Sequence, residues 1–407
     1  MKTNGNYILL LASQFLSAFG VQSVLFVILG QLTFQHRDGL ISARQLGIAN
    51  ALYACLLYLP YVGFAPLAGF LNDRFPKTRW LLGGNFISLI GVGIAALSLF
   101  GHPFWQGVGY FVVGLGACIF SPAKYGILPE ILPRERLVKA NGTIEMLTLV
   151  AILSGVMGGS AMIENFSVAN CYAVLGIVFF LALFLNLFMS KTPFKPEVKL
   201  SSTVREFFSH FKSLIMAPRF SKMLFGTGIF WACGAILKMN FQGWGLATLG
   251  LKNNIQIALL NLWLVIGIVI GSVLAGQLHR VGDLRWTQRY GWILAGLILL
   301  VGTISRQTDH AVLIFILILA GTSGGLFLIP LNAALQAETD QTTLGKTIAV
   351  QNFIKNVAML SGGGFIYLAI KMDSTPSGNF LILGGFVAAL VCLLKIPVQQ
   401  SEAKSEL

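Results

Sequence analysis

The sequence predicts an all-α polytopic membrane protein with twelve transmembrane helices in two pseudo-symmetric six-helix halves. Of 407 residues, 56% are hydrophobic and only 11% are charged, whereas a soluble domain carries about 25% charged residues. A spanning helix needs about 20 mostly apolar residues. Stretches of that kind recur twelve times along the chain, at 7–30, 46–71, 79–100, 104–128, 138–162, 167–190, 222–247, 255–279, 286–304, 311–336, 344–370 and 377–397.

The formal net charge of +13 is a topology signal. With both termini cytoplasmic, 21 of the 28 Lys and Arg residues fall at cytoplasmic ends and loops. Excess basic residues in cytoplasmic loops are the rule for membrane proteins, and anionic inner-leaflet lipid favours the same arrangement. We therefore attribute the excess of basic residues to the orientation of the chain in the membrane and to contact with membrane lipids. We expect no nucleic-acid partner.

Four segments organise the chain. An N-terminal six-helix half (1–190) and a C-terminal six-helix half (222–397) flank a cytoplasmic amphipathic linker (191–221), and a cytoplasmic tail (398–407) follows. In the linker, basic residues alternate with apolar ones at helical spacing, which is typical of a helix on a bilayer surface. Docking of a partner protein is the alternative interpretation of the linker.

The two halves repeat short sequences at a nearly constant offset. "AGFL" at 68–71 and "AGQL" at 275–278 lie 207 residues apart, and Pro122 and Glu130 recur 208 residues later as Pro330 and Glu338. Weak repeats in the same order indicate a duplicated six-helix unit. Several transporter folds are built this way, with substrate sites near the bilayer midplane between the repeats.

The loop after the second span, "GFLNDRFPKTR" at 69–79, resembles the G-x-x-x-D-R-x-x-x-R/K signature of the major facilitator superfamily. This resemblance implies the major facilitator fold. It also implies a gating role for Asp73, Arg74 and Arg79, which would latch neighbouring helix ends in one conformational state. The alternative is a short charged turn with no such role. The second-half counterpart, "GQLHRVGDLR" at 276–285, is degenerate.

No catalytic motif is present in the sequence. "LGKT" at 344–347 resembles the end of a phosphate loop, but Asp340 stands where the earlier glycine is required. The five cysteines are scattered singly in apolar stretches, without the spacing of metal ligands or of a disulfide framework. We expect no enzymatic activity, no catalytic residues, no metal site and no cofactor.

Charged residues inside the apolar stretches mark a candidate substrate site. Lys124, Glu145, Lys238 and Lys355 lie within predicted spans, where a charge costs at least a few kcal/mol and normally faces a cavity or a partner. Three amines against one carboxylate favour an anionic ligand such as a phosphate or a carboxylate. For each residue the alternative is snorkelling or a structural interhelical pair. Further candidate lining residues are Gln22, Asn141, Asn332, Gln351 and Asn352.

Six stretches together, among them "QFLSAFG" (14–20), "SPAKYGIL" (121–128), "LVKANGTIE" (137–145) and "IPLNAALQ" (329–336), resemble the bacterial lysophospholipid transporter family over nearly the whole chain. The resemblance implies a multi-pass inner-membrane flippase that moves lysophospholipids, chiefly lysophosphatidylethanolamine, to the cytoplasmic leaflet by alternating access with lateral lipid entry. An acyltransferase/acyl-ACP synthetase then re-acylates the lipid. That enzyme is fused in some members, and we expect a separate cytoplasmic-side partner here.

The chain departs from the family pattern at charged positions. Val21 and Gln22 stand where an Asp-Asn pair usually follows "AFG", Lys238 replaces an arginine, and Lys355 stands where a glutamate is common. An Asp–Arg gating pair between the first and seventh helices therefore cannot form. We expect the loss of negative charge to shift preference towards anionic head groups such as lysophosphatidylglycerol.

Two further functions remain open from the residues alone. One is a facilitator that exports a drug or carries an organic anion. The other is a membrane scaffold that recruits the acyltransferase without moving lipid. A scaffold would tolerate neutralisation of Lys124, Glu145 and Lys238, whereas a transporter would not.

Overall fold

The computed structural model describes residues 2–192, 203–251 and 254–396. Part of the predicted linker (193–202) and the predicted tail (398–407) lie outside the described residues. Every regular element in the described ranges is helical. The α-helices are α1 (Lys2–Arg37), α2 (Ala43–Gly63), α3 (Ala65–Arg74), α4 (Lys77–Ala96), α5 (Phe104–Gly126), α6 (Leu128–Ile131), α7 (Leu137–Asn165), α8 (Val168–Leu187), α9 (Thr203–Met216), α10 (Pro218–Ala247), α11 (Asn254–Leu278), α12 (Thr287–Thr303), α13 (His310–Glu338), α14 (Leu344–Lys371) and α15 (Pro376–Leu393).

Nine helices among the described residues are long and apolar enough to cross a membrane. The other three predicted spans also coincide with helices, but these helices are divided, shorter or more polar than the nine. The span at 46–71 is divided at Phe64 into α2 and α3, with Pro60 inside α2. α12 has only 17 residues, and α14 contains Lys355 and several amides. The predicted all-helical membrane fold is confirmed.

The chain forms two compact units. Unit 1 contains Met1–Leu132, Leu147–His210 and Asp340–Phe353. Unit 2 contains Pro133–Met146, Phe211–Thr339 and Ile354–Leu407. Each unit thus holds most of one predicted half and one short segment of the other. The two short segments, 133–146 and 340–353, begin 207 positions apart, which is the offset of the sequence repeat. The predicted domain boundaries themselves stay a prediction.

Within unit 1, α4 packs closely against α5 because small residues face each other. A Cβ atom at Gly91 would lie 2.7 Å from the backbone oxygen of Gly109, so only glycine permits this approach. In unit 2, a Cβ at Gly325 would lie 2.7 Å from the backbone oxygen of Ile268, which gives the same result for α13 against α11. Small residues at such crossings are typical of membrane helices.

Candidate functional site

Lys124 lies in the last turn of α5, inside unit 1, and its side chain is buried at 8% exposure. The ammonium donates a 3.2 Å hydrogen bond to Oε1 of Gln14 on α1. It also lies 4.6 Å from the centre of the Tyr125 ring. Gln14 in turn donates to Oγ1 of Thr148 at 3.0 Å. A snorkelling lysine would extend to the membrane surface, whereas this one is oriented inside the protein by an amide and a ring.

Unit 1 also contains two of the predicted amide ligands. Asn352, in the first part of α14, donates a 3.0 Å hydrogen bond to the Ser121 hydroxyl on α5. Its neighbour Gln351 is buried at 2% exposure. Ser121 is three residues before Lys124. The structure therefore brings Asn352 to the same turn of α5 that presents the lysine.

Gln22 belongs to the helix–helix packing of unit 1. It is half-buried on α1, and a Cβ atom added at Gly155 would lie 2.9 Å from the Cβ atom of Gln22. The close approach of α1 and α7 at this point thus depends on a glycine. The sequence pattern did not indicate this packing role for Gln22.

In unit 2, Lys355 is buried at 5% exposure. Its ammonium lies 6.0 Å from the centre of the Trp231 ring on α10, at the outer limit of a cation–π contact. Lys238, two turns further along α10, has an exposed side chain. Within the part of the chain that the structure describes, it makes no side-chain hydrogen bond or ion pair. The two lysines therefore have different surroundings.

Asn141 and Gln336 form a reciprocal amide pair in unit 2. Each side-chain nitrogen donates to the other residue's oxygen, at 2.9 Å and 2.8 Å. The Asn141 amide also donates to the backbone oxygen of Leu137 at 2.9 Å. This pair joins the start of α7 to the end of α13. The other predicted residues of this unit, Glu145 and Asn332, are both buried at 2% exposure.

Asp73 caps the start of α14 within unit 1. Its carboxylate accepts hydrogen bonds from the backbone N–H groups of Gly345 at 2.6 Å and of Lys346 at 3.1 Å. The first N–H groups of a helix have no partner inside the helix, and a carboxylate also interacts favourably with the helix dipole there. Gly69 permits the approach, because a Cβ at this position would lie 3.1 Å from Cα of Lys346.

Burial dominates the electrostatics of this cap. It raises the pKa of Asp73 to about 7, against the opposing effect of the two backbone hydrogen bonds and of Lys77 and Lys346. The other two predicted gating residues are placed differently. Arg74 lies over the rings of Phe70 and Phe75, at 5.8 Å and 5.6 Å, and Arg79 is exposed.

Two ion pairs, one buried and one half-buried, were missed by the sequence reasoning. In unit 1, Lys77 pairs with Glu130, and both side chains are at most 5% exposed. In unit 2, Arg219 binds both carboxylate oxygens of Glu338 at 2.7 Å. The repeat of Glu130 as Glu338 was the available signal. The basic partners could not be inferred from it, because Lys77 and Arg219 do not occupy equivalent positions in the repeat.

Helix α9 also contacts the start of α14 in unit 1. Lys346 forms a 2.6 Å ion pair with Glu206, and His210 shares a 2.8 Å hydrogen bond with the Thr347 hydroxyl. Burial and the nearby Lys346 charge lower the pKa of His210. The amphipathic pattern predicted the helix, but it did not indicate these polar contacts.

Among the described residues, no three His, Cys, Asp or Glu side chains are grouped closely enough to hold a metal ion. Cys118, Cys171, Cys233 and Cys392 are free thiols. What the described side chains provide is a set of buried cations and amides within membrane helices, together with a carboxylate cap at one helix start.

Sequence comparison identifies the family. The profile of the Major Facilitator Superfamily matches residues 10–363. The chain belongs to this superfamily. It is 35% identical to the lysophospholipid transporter LplT of Photorhabdus laumondii over 372 residues, which covers 89% of this chain and 88% of the relative. It is 34% identical to LplT of Enterobacter sp. strain 638 over 388 residues, covering 93% and 92%.

Solved structures show the same fold at low sequence identity. The human organic anion transporter MFSD10 (TETRAN) is 12% identical and superimposes with a TM-score of 0.81, covering 97% of this chain and 100% of that one. A variant of the fucose:proton symporter FucP of E. coli is 14% identical with a TM-score of 0.75, covering 98% and 100%. The protein is therefore a multi-pass transporter of the Major Facilitator Superfamily and not an enzyme.

Proposed function

We propose that this transporter moves lysophospholipids, chiefly lysophosphatidylethanolamine, across the bacterial inner membrane to the cytoplasmic leaflet for re-acylation. The relatives named lysophospholipid transporter LplT, which match about nine tenths of the chain, support this substrate class. A separate acyltransferase or acyl-ACP synthetase on the cytoplasmic side would consume the imported lipid. Both termini would then be cytoplasmic, as the distribution of basic residues favours.

The buried Lys124 is the observation that carries the proposal. Its ammonium is oriented inside the protein by Gln14 and by the Tyr125 ring and carries the charge that a lipid phosphate requires. A buried cation in a membrane helix is costly unless it meets a partner or has a function. Within unit 2, Glu145 offers a carboxylate for the ammonium of a head group, and Lys238 offers an exposed cation for its phosphate.

The proposed mechanism is alternating access with lateral entry of the lipid. A lysophospholipid has one acyl chain, so it can enter sideways from the leaflet while its tail stays in apolar surroundings. Binding shifts the populations of the two states only by the difference in its affinity for them. Transport therefore has no intrinsic direction, and re-acylation supplies it by removing the product.

Uptake of labelled lysophosphatidylethanolamine by cells that lack their own transporter tests the proposal. Wild type restores uptake, and Lys124→Ala abolishes it at equal expression. Lys371→Ala is the matched control, because Lys371 also lies over a tyrosine ring, at 5.0 Å from Tyr367, but is exposed. We expect this control to retain wild-type uptake. If wild type restores no uptake, or if Lys124→Ala transports normally, the substrate assignment or the role of the lysine is wrong.

A further inference from the structure

We propose that helix α9 clamps the start of α14 from the membrane surface: one face binds anionic lipid while another holds the first turn of α14. The lipids meant here are bulk membrane lipids, not the transported substrate. This inference therefore goes beyond the proposed function and does not depend on it.

The inner face of α9 is packed onto unit 1. Phe207 is buried at 1% exposure, and its ring centre lies 6.3 Å from that of Phe353 on α14. The Glu206–Lys346 ion pair and the His210–Thr347 hydrogen bond lie on the same side. At about 3.6 residues per turn, positions 206, 207 and 210 share one face. This face contacts the same helix turn that Asp73 caps.

A neighbouring face of α9 is apolar and exposed. Val204, Phe208 and Ile215 are 60%, 53% and 43% exposed. With about 100° between successive residues, their side chains fall within an arc of roughly 40°. Three large apolar side chains in so narrow an arc would be unfavourable in water. In a membrane protein, a bilayer surface is the apolar phase available to them.

The charges next to this arc identify the lipid class. Arg205 and Lys212 are exposed and project about 40–60° beyond the apolar arc, which places both in the head-group layer when the apolar residues enter the acyl region. The acidic residue of the helix, Glu206, lies on the side opposite the apolar arc and is paired with Lys346. Basic residues flanking an apolar face favour binding to anionic head groups.

Because the inner and outer faces belong to one helix, lipid binding and the α14 contacts are coupled. A lipid surface that binds α9 in its docked position stabilises the state in which Glu206 and His210 hold the first turn of α14. It stabilises that state only by its differential affinity. Anionic lipid should therefore slow the opening of the turn at residues 344–347.

The test is amide hydrogen exchange of residues 344–347 in the full chain, without lysophospholipid. The protein is placed in nanodiscs of phosphatidylcholine, with or without phosphatidylglycerol. We expect about fivefold slower exchange with the anionic lipid, the change that corresponds to about 1 kcal/mol. Arg205→Gln combined with Lys212→Gln should abolish this difference. Arg134→Gln combined with Arg136→Gln, which removes two charges from another exposed segment, should preserve it.

A second readout tests the outer face directly. A fluorophore attached to Phe208→Cys should be quenched by lipids brominated near the head group. Exchange at 344–347 that is indifferent to phosphatidylglycerol overturns the coupling. A lipid effect of equal size in the Arg205/Lys212 variant overturns the assigned surface. Protection of Phe208→Cys by a soluble protein, with no quenching by lipid, overturns the choice of a membrane partner. None of these results depends on which substrate is transported.

Discussion

The carboxylate of Asp73 accepts a 2.6 Å hydrogen bond from the backbone N–H of Gly345, so a residue in the last turn of α3 caps a helix more than 270 positions later. The second oxygen accepts from Lys346. α9 contacts the same helix turn through Lys346 and Thr347. A conformational change that moves the start of α14 away from α3 and α9 must break these contacts together, so we propose that Asp73 has the gating role predicted for it.

Asp73→Asn should loosen the start of α14. The variant keeps one acceptor oxygen, but its amide nitrogen cannot accept from the second backbone N–H, and leaving a buried donor without a partner costs about 1–3 kcal/mol. Amides 345 and 346 should exchange roughly tenfold to a hundredfold faster. Asp283→Asn is the control, because its 3.1 Å partner Arg285 has a side chain 64% exposed and such pairs contribute little. Unchanged exchange in Asp73→Asn would show that the carboxylate does not hold the turn.

The cap should weaken as the pH rises. Burial raises the pKa of Asp73 from its usual value near 4 to about 7. Asp73 therefore binds a proton more tightly when it caps α14 than in an open state in which its carboxyl is solvated. By linkage, the free energy that stabilises the capped state falls as the pH rises from about 4 to about 7, and it no longer changes above that pH.

The measurement has to separate Asp73 from His210, whose pKa is lowered by burial and by Lys346 and whose effect on stability has the opposite sign. Exchange at 344–347, corrected for the intrinsic pH dependence of amide exchange, is therefore compared at pH 5 and pH 8 in a His210→Gln background. We expect stronger protection at pH 5, and no difference once Asp73→Asn is added. Stronger protection at pH 8 in the His210→Gln protein would contradict the prediction.

Gly276→Ala should destabilise unit 2. A Cβ there would lie 2.8 Å from Cα of Lys139, so two helix backbones would have to separate, at a cost of about 1–3 kcal/mol. Gly296→Ala is the matched control, because no atom lies within 4 Å of its added Cβ, and alanine is favoured over glycine in a helix by up to about 1 kcal/mol. Thermal unfolding in detergent should show a lower midpoint for the first variant only. Equal midpoints would mean that the close contact is not required.

Head-group preference should follow the charge of α14. With Lys355 buried beside Trp231 and Val21 in α1, we expect preference to shift towards anionic head groups, so that lysophosphatidylglycerol is transported faster than lysophosphatidylethanolamine when the two are supplied equally. Lys355→Glu should lower the ratio of the two uptake rates about tenfold, which corresponds to about 1.4 kcal/mol. Lys355→Gln should lower it less, since it only removes the charge. Equal or weaker transport of the anionic lipid by wild type would refute the expected preference.

Several features of this protein follow from the sequence alone. Low charge and recurring apolar stretches predict the all-helical membrane fold, because backbone polar groups in a bilayer must be satisfied within helices. The 207-residue offset predicts the duplication, and Gly69 and Gly276 show it in the structure. Each lies against the backbone of a lysine from the other predicted half, Lys346 and Lys139 respectively.

The partners of the polar residues were decided by tertiary packing. Glu130 and Glu338 are repeats of each other, yet one pairs with Lys77 at the start of α4 and the other with Arg219 at the start of α10. A repeat constrains where the backbone lies. It does not determine which long basic side chain reaches a given carboxylate.

The same distinction holds for α9 and Lys124. Helical spacing predicted that α9 has an apolar face, but only packing determined that Phe207 is buried and Phe208 exposed. Composition placed Lys124 in a membrane span, and only the approach of α1 to α5 gave it Gln14 as a partner. Hydrophobic periodicity is a local property of the chain and can be recognised from the sequence alone. Contacts between side chains far apart in sequence depend on how helices are rotated and crossed, which only the folded structure determines.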